Sequence, residues 1–146
     1  MLLIIEGLDI CGKSTLIESL RKKYFKKPET IVAHSSSPPA VEDKNEWEID
    51  HYNSLFRDYI LLSRIGYDII LDRFHLGAIV YGEKYRGADP ESIRFLDKRY
   101  FTDFKDAVLI VLVDEPEEIS KRDDGKKKKK SVSEIRVTKA AFEDAF

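Results

Sequence analysis

Residues 7–14 read GLDICGKS and match the pattern G-x-x-x-x-G-K-[ST], which decides how the rest of the chain is interpreted. The four apolar residues 2–5 suit a strand buried on both faces, and residues 14–25 have the apolar spacing of an amphipathic helix. In that setting, glycines let main-chain N–H groups point at phosphate oxygens. Lys13 can then reach the outer phosphates, and the Ser14 hydroxyl can bind Mg²⁺. The stretch predicts a phosphate-binding loop rather than the alternative, a glycine turn beside a solvated lysine.

Short apolar runs alternate with amphipathic segments along the whole chain. The strands are predicted at residues 2–5, 30–33, 67–71 and 108–113, and the helices at 14–25, 45–65, 75–84, 90–101, 115–122 and 131–146. Strands that alternate with helices are typical of an α/β protein with a parallel sheet and helices on both faces. We therefore expect one α/β domain over residues 1–146.

The composition places the chain among globular proteins. It has 146 residues, of which 42% are hydrophobic and 36% charged, and 25 Lys+Arg against 27 Asp+Glu give a net charge of −2. This balance excludes a globally cationic nucleic-acid coat, and the single cysteine, Cys11, excludes an intrachain disulfide and a cysteine-based metal site. The chain has no apolar run of the ~18–20 residues that cross a bilayer. Its opening has no basic n-region and turns acidic at Glu6, so we expect no signal peptide there. We expect a cytoplasmic protein (host cytoplasm, if viral) that binds no specific nucleic acid.

Several stretches resemble one family of kinases. Residues 2–15, LLIIEGLDICGKST, resemble the opening of thymidylate kinases, which read like FIxxEGxDxxGKST. Residues 72–74, Asp-Arg-Phe, match their DR[YFH] signature, and residues 75–87, HLGAIVYGEKYRG, look like the variant in phage-type deoxynucleoside monophosphate kinases. Residues 113–118 resemble the exit of the family's fourth strand, and residues 122–132 stand in the place of its lid. The resemblance implies the parallel sheet of P-loop NTPases.

The resemblance also implies a site for ATP and Mg²⁺. The contacts to ATP would come from the phosphate loop and the lid, namely Gly7, Leu8, Asp9, Ile10, Cys11, Gly12, Lys13, Ser14, Thr15 and Arg122. Asp72 would support the metal ion through water, together with Ser14. Residues 126–130 of the lid are all lysines, which attract a triphosphate but cannot form the planar two-pronged clamp of an arginine. A solvated loop is the alternative interpretation of this run.

For the acceptor nucleotide, the resemblance implies that Arg73 grips its phosphate and that Asp9 faces its sugar 3′-hydroxyl. Phosphoryl transfer consists mainly of positioning and charge neutralisation, so Lys13, Mg²⁺ and an arginine suffice for it. An arginine fork also matches the geometry of a phosphate. We therefore predict Lys13, Arg73 and Asp9 as the catalytic residues. The alternative for Asp72 and Arg73 is a weak ion pair at the rim of the sheet.

Further acceptor contacts are predicted on two helices. Tyr81 aligns with an AYQ-like segment of the family and is the favoured ring for stacking on the base. Phe56 is a second candidate, although its helical spacing, like that of Tyr59, suits the core equally well. His75 and Arg86 complete the predicted substrate-binding set, and Arg86 would contact a phosphate.

The segment after the second strand bears on the type of acceptor. A nucleoside kinase must deprotonate a hydroxyl and would carry a carboxylate base here, but residues 34–39 read HSSSPP and the first acid is Glu42. A nucleotide kinase needs no base, because its acceptor phosphate is already anionic. The arginine that thymidylate kinases usually have in this segment is absent too. The segment therefore tells against both kinds of kinase, but less against the nucleotide kinase, and we expect transfer from ATP to a deoxynucleoside monophosphate. The resemblance alone implies dTMP as the first candidate. A deoxynucleoside kinase and a nucleotide-binding module without turnover are the alternatives.

The last predicted helix reaches Phe146, whereas family members run on to a fifth strand and a loop that holds the adenine. We therefore expect a sheet without this C-terminal strand, in either a short member or a truncated chain. The first or fourth strand would then form an unprotected edge. The expected partners are small-molecule nucleotides, and the resemblance is compatible with a homodimer, since family members often dimerise through helices beside the third strand.

Overall fold

The structure is a computed structural model that describes residues 1–35, 43–104, 106–122 and 130–146. Within these residues, four strands form one parallel sheet in the order β2-β3-β1-β4. The strands are β1 (Leu2–Gly7), β2 (Thr30–His34), β3 (Asp68–Asp72) and β4 (Ala107–Leu112). The predicted α/β class and parallel sheet are confirmed. Glu42 and residues 126–129 of the lysine run lie outside the described residues.

Six α-helices lie in the described part of the chain, close to their predicted positions. They are α1 (Lys13–Lys23), α2 (Lys44–Arg64), α3 (His75–Arg86), α4 (Pro90–Tyr100), α5 (Pro116–Lys121) and α6 (Val132–Ala145), with a 3₁₀ turn at Phe101–Asp103. Side chains cap α2, α4 and α6 at their first turns, through Asp43, Asp89 and Ser131 respectively. Phe74 precedes α3 and supplies no side-chain cap, so that helix begins differently from these three.

The helices cover both faces of the sheet, because side chains alternate between the faces along each strand. On one face, Leu3, Ile5 and Ile70 pack with Ile17 of α1 and with Phe25. On the other face, a larger apolar cluster joins the sheet to the remaining helices, with members such as Ile4, Leu71, Phe56, Phe74, Ile93, Ile119 and Phe142. Burial of this apolar surface is the main favourable contribution to folding.

The central strand is β1, which pairs with β3 on one side and with β4 on the other. All six residues of β1 are buried, whereas every residue of β4 is at least partly exposed. Among the described residues, β4 is one of the two edge strands of the sheet, and the alternative of the first strand is wrong because β1 has a partner on each side. In register, Ile5 lies opposite Asp72 and Gly7 opposite Leu112, so the carboxyl ends of β1, β3 and β4 lie together along one side of the sheet.

None of the helices in the described ranges is long and apolar enough to cross a membrane.

Candidate active site

The loop between β1 and α1 is curled by three residues in the left-handed backbone region: Gly7 at φ 124°, Ile10 at φ 62° and Gly12 at φ 89°. Only glycine fits at position 7, because a Cβ there would lie 2.0 Å from the main-chain oxygen of Leu112. Gly12 immediately precedes α1, and the N–H groups in the first turn of a helix have no partner within the helix. The loop therefore has the shape and the free donors that a phosphate requires.

Lys13 is the first residue of α1, and its side chain folds back over the loop. Its residue is only 7% exposed, and Nζ donates to the main-chain oxygens of Gly7, at 3.1 Å, and of Leu8. Burial lowers the pKa of Lys13, and the nearby charge of Arg73 lowers it further. Ser14 and Thr15 follow on the exposed side of the helix. The ammonium group thus lies at the loop in an electrostatically unfavourable setting that an anion would relieve.

Arg73 comes directly after β3, in the left-handed region at φ 69°. Its main-chain N–H donates to the oxygen of Ile5 at 2.9 Å, and its Nη1 donates to the oxygen of Gly7 at 3.3 Å. Its Nη2 forms an ion pair with Asp9. Burial by itself would lower the pKa of Arg73, but Tyr81 and Asp9 raise it overall. Arg73 therefore lies at the phosphate loop as a cation.

Asp9 also accepts from Lys130, whose Nζ lies 2.9 Å from its Oδ2. The same ammonium group lies 5.4 Å from the ring centroid of Tyr81 and 5.9 Å from that of Tyr85, and these two rings stack on each other. The sequence predicted a role for the lysine run as a whole, and Lys130 was not distinguished from its neighbours. Lys130 directly precedes Ser131, the N-cap of α6, and this position next to a helix start is the feature of the sequence that could have identified it.

Tyr81 belongs to the same group of side chains. Its ring lies 5.6 Å from the guanidinium carbon of Arg73, and burial, with Asp9 next in importance, raises its pKa to about 12. Arg122 lies against the loop from the other direction, where its Nη1 donates to the main-chain oxygen of Ile10 at 3.1 Å, and it pairs with Asp114. The structure therefore brings together Lys13, Arg73, Asp9, Tyr81 and Arg122 from the predicted set.

Asp72 and Arg73 have separate partners, so they do not form the rim ion pair considered as the alternative. Oδ2 of Asp72 lies 3.1 Å from Nδ1 of His34, its neighbour across the strands. Its other oxygen, Oδ1, is buried and has no hydrogen-bond partner among the described residues. An unpartnered carboxylate oxygen and the exposed hydroxyl of Ser14 are ligands of the type that Mg²⁺ prefers. The residues present therefore fit a magnesium ion that keeps several waters.

A small cavity of about 80 Å³ lies at the carboxyl ends of β2 and β3, beside Arg73. Its other walls include His34, His51, Tyr59 and Phe74. Tyr59 is half-buried there, and burial, with the charge of Asp58 second, raises the pKa of its hydroxyl. Tyr59, which the helical spacing grouped with Phe56, is therefore the α2 aromatic residue that reaches a cavity next to the predicted phosphate-binding arginine.

Three predicted substrate residues have other partners in the structure, and the predictions for Phe56 and His75 need correction because both are too deeply buried for the contacts expected of them. Phe56 is 0% exposed and packs on Phe74 with ring centroids 4.7 Å apart, so no face of its ring is open to a base. His75 is 1% exposed, with Nε2 lying 3.1 Å from a carboxylate oxygen of Asp97. Arg86 forms an ion pair with the buried Glu48, which ties the end of α3 to α2. Packing within the helical layer accounts for all three.

No protein-family model matches the chain, and no curated protein is similar to it. Solved structures do resemble it. One is the YorR protein from Bacillus subtilis, determined in complex with phosphorylated GDP, which has a TM-score of 0.71 and 25% sequence identity. That likeness covers 99% of this chain and 78% of YorR.

Two thymidylate kinases are also similar in structure. The enzyme from Candida albicans has a TM-score of 0.55 at 22% identity, and it is covered over 77% of its length. The enzyme from Ehrlichia chaffeensis has a TM-score of 0.57 at 17% identity, and it is covered over 85% of its length. Both likenesses span 99% of this chain. The sheet, the phosphate loop and these likenesses together show that the chain has the α/β fold of the thymidylate kinase-like P-loop kinases.

Proposed function

We propose that the protein is a nucleotide kinase that transfers the γ-phosphoryl group of ATP to a deoxynucleoside monophosphate, with dTMP as the first candidate. The observation that carries this proposal is the convergence of two cations on the main-chain oxygen of Gly7. Nζ of Lys13 lies 3.1 Å from that oxygen and Nη1 of Arg73 lies 3.3 Å from it. Lys13 is the first residue of the helix after the phosphate loop, and Arg73 directly follows β3, so donor and acceptor phosphates can meet between them.

On the donor side, the loop and Lys13 bind the phosphates of ATP. The N–H groups at the start of α1 and the ammonium group of Lys13 face the negative charge that collects on the β- and γ-phosphates. Because burial lowers the pKa of Lys13, its charged form is costly in the free protein and is stabilised when the phosphates arrive. When bound, Mg²⁺ would neutralise phosphate charge, and Ser14 and Asp72 are the residues that would hold it.

On the acceptor side, Arg73 binds the monophosphate through its guanidinium fork. An incoming phosphate competes with Asp9, which now occupies that guanidinium, and a displaced Asp9 could accept from the sugar hydroxyl. The cavity beside Arg73 and the rings of Tyr59 and Tyr81 offer surfaces for the nucleoside. Arg122 and Lys130 supply positive charge from the lid side of the loop.

The reaction itself balances without a general base. An anionic oxygen of the acceptor phosphate forms a bond to the γ-phosphorus as the bond from that phosphorus to the β–γ bridging oxygen breaks. The products are ADP and a deoxynucleoside diphosphate. Lys13 and Arg73 hold the two reacting ends in line, and neither has to gain or lose a proton.

The test is a coupled assay of ADP release with ATP and Mg²⁺. The panel contains four deoxynucleoside monophosphates and four deoxynucleosides, and GMP is added because the YorR structure holds a phosphorylated guanine nucleotide. We expect ADP with one or more monophosphates and none with the nucleosides. ADP with nucleosides alone would establish a nucleoside kinase instead. ATP binding without turnover at any acceptor would establish a nucleotide-binding module.

The variant that tests the role of Arg73 is Arg73→Ala, with Arg21→Ala as the matched control because Arg21 is an exposed arginine in the last turn of α1. We expect Arg73→Ala to lower kcat/KM for the acceptor by about 100-fold, since a charge-assisted phosphate contact is lost, while the affinity for ATP changes little. The Arg21→Ala variant should behave like the parent. An equal loss of ATP and acceptor binding in Arg73→Ala would contradict the proposed division of roles.

A further inference from the structure

Glu6 is a fully buried carboxylate at the carboxyl end of β1, with 0% of the residue exposed. Its Oε1 accepts hydrogen bonds from the main-chain N–H groups of Phe74, at 2.6 Å, and of Gly77, at 2.9 Å. Phe74 lies in the turn from β3 into α3, which also carries Arg73, and Gly77 lies in the first turn of α3. Burying a carboxylate is costly unless strong hydrogen bonds compensate for it, so its presence here calls for an explanation.

The turn needs external support, because Arg73 occupies the left-handed backbone region at φ 69°. For a residue other than glycine, that conformation is strained and persists only where the surroundings enforce it. The main-chain oxygen of Ile5 holds the N–H of Arg73, and Glu6 holds the next N–H along the chain. Two adjacent residues of β1 therefore hold two adjacent residues of the turn.

A capping role alone does not account for Glu6. Local side chains cap α2, α4 and α6, namely Asp43, Asp89 and Ser131, and all three lie at the surface. At α3 the acceptor comes instead from another strand, across 68 residues of sequence, and is buried. Glu6 also directly precedes Gly7, whose oxygen accepts from both Lys13 and Arg73. The carboxylate therefore joins the start of the phosphate loop to the turn that presents Arg73.

We propose that Glu6 is a positioning residue, which holds the guanidinium of Arg73 at the phosphate loop by fixing the turn between β3 and α3. The inference rests on the proposed function, in that Arg73 is taken as the residue that binds the acceptor phosphate. Glu6 acts through Arg73 and through the backbone, and it contacts no nucleotide itself.

The kinetic test compares Glu6→Ala, Glu6→Gln and Asp89→Ala, each alone, and adds the double variant of Glu6→Ala with Arg73→Ala. Asp89→Ala is the matched control, because it removes an exposed cap from a different helix, α4. We expect Glu6→Ala to raise the acceptor KM about tenfold, since a small displacement of a positioning group has a large effect, while the affinity for ATP changes less than about threefold. Glu6→Gln keeps an accepting oxygen and should recover most of this loss.

The double variant decides whether Glu6 acts through Arg73. If it does, Glu6→Ala should add nothing to the acceptor KM of Arg73→Ala, and the two effects should be strongly non-additive. Fully additive effects, or a Glu6→Gln variant as impaired as Glu6→Ala, would overturn the proposal. Asp89→Ala should reduce thermal stability and leave the acceptor KM unchanged.

A measurement that needs no turnover separates this proposal from the proposed function. In ¹⁵N NMR spectra, the side-chain N–H signal of Arg73, assigned by its loss in Arg73→Ala, should shift in Glu6→Ala and stay in place in Asp89→Ala. A shift in a protein without kinase activity would support the positioning role even though the proposed function had failed. An unmoved signal in folded Glu6→Ala would overturn the role of Glu6 whatever the enzyme does.

If Glu6→Ala does not fold, Gly77→Ala provides a second perturbation. The new Cβ would lie 3.2 Å from Oε2 of Glu6, close enough to push the carboxylate, and alanine favours the helix in which position 77 lies. We expect this variant to stay folded, to shift the Arg73 signal and to raise the acceptor KM. A folded Gly77→Ala protein with the parent's signal and KM would count against the proposal.

Discussion

Arg73 and Phe74 are neighbours in the chain, yet they belong to two regions with opposite properties. Arg73 lies among polar groups at the carboxyl edge of the sheet, the side at which the strands end, with Gly7 and Asp9 as partners. Phe74 points into an aromatic cluster, with ring centroids 4.7 Å from Phe56 and 5.6 Å from Tyr52. The left-handed backbone at Arg73 lets consecutive side chains reach both regions.

The difference between the edge and the cluster separates function from stability. At the edge, burial and then the guanidinium of Arg73 lower the pKa of the Lys13 ammonium, so its charge does little to stabilise the free protein. The cluster buries large apolar rings and contributes most of the packing energy on its face of the sheet. Substitutions should therefore affect either activity or stability, according to the region in which they fall.

The largest expected effect is on stability, from Phe56→Ala in the cluster. Removing a fully buried ring leaves a cavity, and we expect the free energy of unfolding to fall by about 3–5 kcal/mol, measured by urea denaturation. Phe95→Ala is the control, because Phe95 is 62% exposed on α4 and should change stability by no more than about 0.5 kcal/mol. The folded Phe56→Ala protein should bind nucleotides as tightly as the parent. A selective loss of acceptor binding would show that Phe56 is a substrate-binding residue after all.

Lys13→Met should affect activity nearly as strongly. We expect kcat/KM for ATP to fall roughly 100- to 1,000-fold, because a preorganised cation at the transferred phosphates is lost. Lys22→Met is the control, since Lys22 is an exposed lysine of the same helix. An ATP dependence that survives in Lys13→Met would contradict the phosphate-loop assignment.

The pH dependence of stability supplies a second readout for Lys13. Its pKa in the folded protein lies below its ordinary value of 10.5, so the unfolded chain binds more protons in the interval between the two values. The contribution of Lys13 to stability therefore rises with pH through that interval and is unfavourable below it. In Lys13→Met this rise should disappear, and the melting temperature near neutral pH should not decrease. A lower melting temperature would show that the buried ammonium stabilises the loop.

Arg73→Lys tests a smaller change at the edge, because it keeps the charge and removes the planar fork. We expect about a tenfold fall in kcat/KM for the acceptor monophosphate, since lysine cannot bind phosphate in two places at once. The affinity for ATP should change little, as measured by titration with a fluorescent ATP analogue. Full activity of Arg73→Lys would mean that charge alone is required at this position.

Lys130→Ala should have the smallest effect, because its side chain is 31% exposed and its contacts are partly screened. We expect about a threefold change in acceptor KM. The acceptor KM of the parent should depend on the salt concentration, and this dependence should be absent in the variant. Lys121→Ala, which removes an exposed lysine of α5, is the matched control. If the acceptor KM of the two variants depended on salt in the same way, Lys130 would have no specific role in acceptor binding.

The phosphate loop was the part of the site most accessible to sequence analysis. Its residues are consecutive, so the spacing of Gly7, Gly12 and Lys13 already contains the geometry of the cradle. Arg73 was accessible for a related reason, since it follows a strand directly and strand ends meet at one edge of a parallel sheet. Local order along the chain was sufficient in both cases.

Residues on helices were much less predictable. Phe56 and Tyr59 are three positions apart on one face of α2, but only Tyr59 lines the cavity beside Arg73. Helical periodicity identifies the face of a helix that packs inward, and it carries no information about the depth of each residue or the neighbouring helix that covers it. Arg86 and His75 have partners, Glu48 and Asp97, that lie far away in sequence.

By itself, the sequence determined the α/β class, the approximate limits of the helices and strands, and the position of the glycine-containing loop between β1 and α1, because these depend on interactions between residues close along the chain. The tertiary structure alone decided the order β2-β3-β1-β4, the burial of β1 beside a half-exposed β4, and the meeting of Glu6 with the turn at Arg73. These features depend on which distant segments pack together, and the free energy of that choice is summed over the whole core.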